Sequence, residues 1–144
     1  MVTSSLNLIN DTETNSAQEM ELDYIENVNG HDDNIVRLFN FNKAEAILFR
    51  DLLQETIIDK RQKLDLEKVD FITACNCNLI FGLFKTDEGI LTKDNKTFFC
   101  ILTLEGFKNM IKLIEPFCLK ESRSYQYLYD IDNPTDLFFC PSAT

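Results

Sequence analysis

The sequence predicts an α+β domain, with two helices against a mixed or antiparallel sheet. Three observations predict it. Two amphipathic stretches repeat apolar residues every three or four positions, each behind a helix-capping residue. Several short runs are rich in Val, Ile and Phe, as strands are. Between the runs lie Asp, Asn, Gly and Pro, which close turns.

The elements follow in order. IVRLFNF (35–41) reads as a strand. Asn42-Lys-Ala-Glu45 is a capping box: the Asn side chain caps a backbone amide and Glu45 reaches back. The helix behind it carries a stripe at Ala46, Phe49, Leu53 and Ile57, widened by Leu52, with Lys60, Arg61 and Lys63 near the negative end of its dipole. VDFITACNC and NLIFGLFK read as strand material, one bent strand interrupted near Asn76–Asn78. Asp87-Glu88-Gly89 and Asp94-Asn95 signal turns. TFFCILT (97–103) is apolar at nearly every position, so coverage on both faces is expected. Thr103 caps a second helix with the stripe Leu104, Phe107, Ile111, Ile114, which Pro116 is expected to end. SYQYLYDI and DLFFC read as final strands around an Asp-Asn-Pro turn. The order matches β-α-β-β-α-β, a ferredoxin-like arrangement, with an extra C-terminal strand.

Charge divides the chain. Residues 1–33 hold eight Asp or Glu and no Lys or Arg, whereas the remainder has sixteen acids against fourteen bases. So polar a leader cannot bury enough apolar surface to offset its ordering entropy. The reading is an acidic, disordered arm over 1–33 and a single domain over 34–144, and removal of the arm is expected to leave the fold intact. Within the arm, Met20, Leu22, Tyr24 and Ile25 alternate with acids and have the means to grip a partner, as a short helix or an added strand.

A net charge of −10 argues against nucleic acid, whose binding depends on Lys and Arg, and against anionic membranes. No window approaches the roughly 18 apolar residues that span a bilayer. The N-terminus lacks the basic and apolar regions of a secretory signal. Five cysteines without an export signal read as reduced thiols in the cytoplasm.

Chemistry finds little foothold. Cys75-Asn76-Cys77 is a zinc candidate with Cys100, Cys118 or Cys140, but paired knuckles are missing and the only histidine, His31, lies in the leader. Buried thiols explain these residues better. A Ser or Cys nucleophile would want a histidine base, and the four glycines are too dispersed for a phosphate loop. Asp130 to Asp136 lacks the glycine and glutamate of a calcium loop, with Thr135 and Pro141 at those positions. No catalytic residue, metal or cofactor is assigned.

Tyr125, Tyr127 and Tyr129 alternate, which on a strand puts all three on one face, either packed under a helix or facing a partner. The functional expectation is a non-catalytic interaction module, an inhibitor, immunity-type or adaptor protein, engaging a basic protein partner. Met20, Leu22, Tyr24, Ile25 and the three tyrosines are its candidate contacts. The alternative is a small-molecule-binding or enzymatic α+β domain with an aromatic-lined pocket.

Overall fold

The computed structural model describes residues 20–27, 30 and 33–142. Its strands are β1 (Met20–Ile25), β2 (Asn34–Phe39), β3 (Leu64–Asp65), β4 (Ile72–Ala74), β5 (Asn78–Leu83), β6 (Gly89–Thr92), β7 (Thr97–Leu102), β8 (Gln126–Tyr127) and β9 (Thr135–Cys140). The helices are α1 (Lys43–Leu53), extended by a π-helical turn over Gln54–Asp59, and α2 (Leu104–Leu119). The α+β class is as the sequence predicts: two helices and mixed sheets. The strands divide between two sheets, however, ordered β8-β9-β2-β1-β4 and β3-β5-β7-β6.

The sheets repeat one plan. Reading β8-β9-β2-β1, the pairs run antiparallel, parallel, antiparallel. Reading β3-β5-β7-β6, they run the same way. Hairpin β1–β2 leads into α1, and the chain then reaches β3 and β5 in the other sheet. Hairpin β6–β7 leads into α2, and the chain returns to β8 and β9 in the first. Each sheet is thus half built by the other half of the chain. Strand β4 is the one addition, parallel to β1 at the end of the five-stranded sheet.

This arrangement revises the domain boundary. Met20–Ile25 belongs to the fold, as an interior strand between β2 and β4. Met20 and Leu22 are fully buried, so they are core residues and cannot be partner contacts. The physical reason is alternation: Met20 and Leu22 face the core while Glu21 and Asp23 face outward. Asp23 is neutralised by Arg37 of β2, which donates through Nε and Nη2 at 2.7 and 3.0 Å. Glu21 accepts from Asn40 at 2.5 Å. The disorder expected of residues 1–19 lies outside the described residues.

The helices hold the sheets together through aromatic contacts. Phe49 of α1 lies 6.1 Å from Phe81 on β5 and 5.9 Å from Phe139 on β9, so one ring touches both sheets. On α2, Phe107 meets Phe81 at 6.0 Å and Phe117 meets Phe139 at 5.1 Å. Ala46, Phe49, Leu53 and Ile57 are all fully buried, as their spacing predicts. The Asn42–Glu45 capping box is present. Thr103 caps α2 by accepting from the Gly106 amide at 3.0 Å.

Three local expectations give way to packing. Helix α2 passes through Pro116 to Leu119, because Phe117 and Cys118 are buried and hold the last turn against the core. The segment 97–103 is covered on one face only: Phe98, Cys100 and Leu102 are buried while Phe99 is exposed. Residues 71–83 are two strands in different sheets rather than one bent strand.

Candidate functional site

On the outer face of the five-stranded sheet, one row of paired residues reads Tyr127, Phe138, Arg37, Asp23. Alternation in β9 puts Leu137 and Phe139 into the core and Asp136 and Phe138 outside. Tyr125 and Tyr127 then gather on Phe138, with ring centroids 5.0 and 5.2 Å from it and 6.1 Å from each other. Tyr125 is 59% exposed and Tyr127 41%. These rings form an open aromatic platform. Beyond them the Arg37 guanidinium lies 3.9 Å from the Phe39 ring centroid, and hydrogen bonding to Asp23 raises its pKa further.

A cleft of about 400 Å³ opens beside the platform, between α2 and segment 126–131. Leu113 and Ile131 give it an apolar wall, and Tyr127, Asp130 and Asp136 give it a polar one. A smaller hollow of about 220 Å³ shares Leu113, Tyr129, Asp130 and Ile131 and reaches Asp87 at the start of α2. Asp87 is already engaged, accepting from the Thr103 amide and hydroxyl at 2.7 and 2.9 Å.

Electrostatics single out Asp136. Partial burial pushes its carboxyl above the usual range, and the charges of Asp33 and Asp130 push it the same way. Tyr127 is also raised, by burial first and then by Asp136, Tyr125 and Asp33. Asp130 and Asp136 enter none of the ion pairs among the described residues. Carboxylates are therefore grouped beside exposed rings at a cost to the folded chain.

The sequence-predicted contacts separate. Tyr125 and Tyr127 sit on the platform. Ile25 shares its outer face, in the row Asp136, Ile35, Ile25. Tyr24 turns the other way, its ring 4.5 Å from Phe98 of the second sheet and its backbone held on both sides by the Asn76 side chain. Tyr129 is buried, because strand pairing stops at Tyr127 and the alternation stops with it. Asp136 and Phe138 were not among the expected contacts, although the alternation of DLFFC carries the signal for both.

The thiols are dispersed. Cys77, Cys100, Cys118 and Cys140 are buried and Cys75 is exposed. Burial pushes Cys77 up to about 12, with smaller effects from Asp23 and Cys75, so at neutral pH it is a protonated thiol. Among the described residues, no three His, Cys, Asp or Glu side chains converge as metal ligands.

No protein-family model matches the sequence. The chain is similar to a protein of Microcystis aeruginosa named UPF0754 membrane protein, 30% identical over 89 residues. The match covers 62% of this chain but 20% of the relative, so the chain spans about a fifth of that protein's length. Among the described residues, no helix is long and apolar enough to cross a membrane.

Proposed function

We propose that this chain is a non-catalytic interaction module that binds a basic segment of a partner protein over the Tyr125–Tyr127–Phe138 platform. The observation that carries the reading is the pairing of exposed rings with Asp130 and Asp136. Folding alone gains nothing from holding those carboxylates together, whereas an incoming Lys or Arg relieves their repulsion. The rings add cation–π attraction, worth about 0.5–1 kcal/mol at an exposed site. The overall charge of −10 steers a cationic partner toward the chain. Five free thiols support a cytoplasmic setting.

The test is titration of the full chain with a fluorescent Lys/Arg-rich peptide at two salt concentrations. Binding that weakens with salt, and weakens again in Asp136→Asn and Tyr127→Ala, supports the reading. Affinity indifferent to salt and to both substitutions removes it. The second reading, a small-molecule or enzymatic site, draws on the cleft beside α2. A metabolite that raises the melting temperature through that cleft would favour it.

A further inference from the structure

The outer face of the five-stranded sheet already shows how this chain holds a cation. Arg37 and Phe39 share that face by alternation, and the Arg37 guanidinium lies 3.9 Å from the Phe39 ring centroid. Its Nε and Nη2 donate to the two oxygens of Asp23 at 2.7 and 3.0 Å. Beneath it Phe39 is buried. One ring and one carboxylate thus meet both binding modes of a guanidinium, stacking through its plane and forking through its edge. A rounded ammonium has neither plane nor fork. Tyr127 and Asp136 set a second ring and a second carboxylate on the same sheet. Both line the cleft beside α2, and the Asp136 charge is close enough to raise the Tyr127 hydroxyl. Asp136 is partly buried, and no group among the described residues donates a hydrogen bond to it. Such a carboxylate gains most from a donor that is both charged and forked.

The rings decide the shape of cation that fits. Tyr125 and Phe138 are inclined at 33°, and Tyr127 stands edge-on to Tyr125 at 84°. Centroids 5.0 to 6.1 Å apart put the three rings in contact with one another. No two ring faces therefore stand apart as the walls of a cage, the arrangement that suits a methylated ammonium. A flat group lies on one open face, and Tyr125 and Tyr127 are exposed. We propose that the platform selects arginine over lysine in the basic segment it binds, the guanidinium stacking on Tyr127 and forking onto Asp136. This inference rests on the proposed function and adds the residue that the partner must present. The net charge of −10 attracts Lys and Arg alike, so the preference resides in the ring and the fork.

Two fluorescent peptides of equal length and charge, differing only in Arg against Lys, are titrated against the full chain at low salt. The Arg peptide is expected to bind about fivefold or more tightly. Tyr127→Leu keeps an apolar side chain and removes the π face. It is expected to bring the two affinities within about twofold, chiefly by weakening the Arg peptide. Tyr127→Phe is expected to keep the preference. Circular dichroism melts show whether each variant folds. If Tyr127→Leu does not, Asp136→Asn decides, because loss of the fork weakens the Arg peptide more than the Lys one. Equal affinity of the two peptides for the unaltered chain overturns the inference while the basic-segment reading stands. So does an Arg preference untouched by both Tyr127→Leu and Asp136→Asn. A trimethyl-lysine peptide that binds more tightly than the Arg peptide makes the rings a cage and overturns it too. Binding of none of the peptides removes both this inference and the reading beneath it.

Discussion

The Tyr129 hydroxyl accepts a hydrogen bond from the Ile90 amide at 3.1 Å, joining the chain segment between β8 and β9 to the edge of the second sheet. Asn133 completes the contact by donating to the carbonyls of Glu88 and Ile90, each at 3.1 Å. Its own oxygen accepts from the Thr135 amide at 2.9 Å. The Tyr129 hydroxyl in turn donates to the Thr135 carbonyl. Side chains here do what a further strand would do, and β6 presents no free edge at Ile90. Tyr129→Phe is expected to leave a buried amide without an acceptor and to cost about 1–3 kcal/mol. Chemical denaturation measures this, and coupling with Asn133→Ala in a double-mutant cycle identifies the clamp as a unit.

Gly89 makes room for that clamp. Its φ is +78°, and a Cβ there would meet Asn133 Nδ2 at 2.6 Å and the Tyr129 ring at 3.2 Å. Gly89→Ala is expected to destabilise by roughly 1–3 kcal/mol from backbone strain and displacement of Asn133. An unchanged denaturation midpoint would show that the clamp adapts.

Stability is expected to fall on the alkaline side. Burial raises Tyr129, Cys77 and Cys100, so the folded chain holds their protons at pH values where the unfolded chain has released them. The unfolding free energy then decreases as pH rises from about 8.5, where unfolded thiols titrate, and again beyond about 10 for the tyrosine. Melting temperatures between pH 7 and 11 read this decline. Tyr129→Phe is expected to flatten its upper part.

Asp136→Asn is expected to raise the melting temperature at pH 7 while weakening capture of a basic peptide. The folded chain raises the Asp136 pKa, so it favours the protonated carboxyl, and at pH 7 ionisation opposes folding. The sign therefore reverses between the two measurements. A variant that loses both stability and peptide binding would mark Asp136 as structural.

Removing residues 1–33 is expected to abolish cooperative folding, because β1 goes with them. Leu22→Ala within the full chain should cost about 2–5 kcal/mol, as buried Leu deletions do. Amide-resolved NMR of the truncated chain decides: sharp, dispersed resonances would show that the first sheet tolerates the loss of an interior strand.

Both helices were legible from local chemistry. Asn42, Glu45 and Thr103 announce their own starts, and Phe49, Leu53, Phe107 and Ile111 repeat at helical spacing. The two-sheet division was not legible, because Ile72 and Leu79 are equally apolar and nothing between them says that they enter different sheets. β1 was hidden by its acids: the charge of residues 1–33 outweighed an alternation that Met20 and Leu22 display openly. At the candidate site, Tyr125 and Tyr127 were found by alternation. Tyr129 broke it because pairing with β9 ends two residues earlier, at Tyr127. Asp136 gains meaning only once Asp33 stands beside it and Asp130, and Asp33 lies too far off in sequence to share a local mark with them.

The exchange of hairpins between the two halves also sets an order of events during synthesis. Strand β2 is the second of the nine described strands to leave the ribosome, yet its parallel neighbour β9 is the last of them. Until Thr135–Cys140 emerges, the Asn34–Phe39 edge stands open and the clamp on Ile90 cannot close. The nascent chain therefore carries an unprotected strand edge while every strand between β2 and β9 is made, and the arrival of β9, rather than completion of either half, is when this fold becomes safe from aggregation.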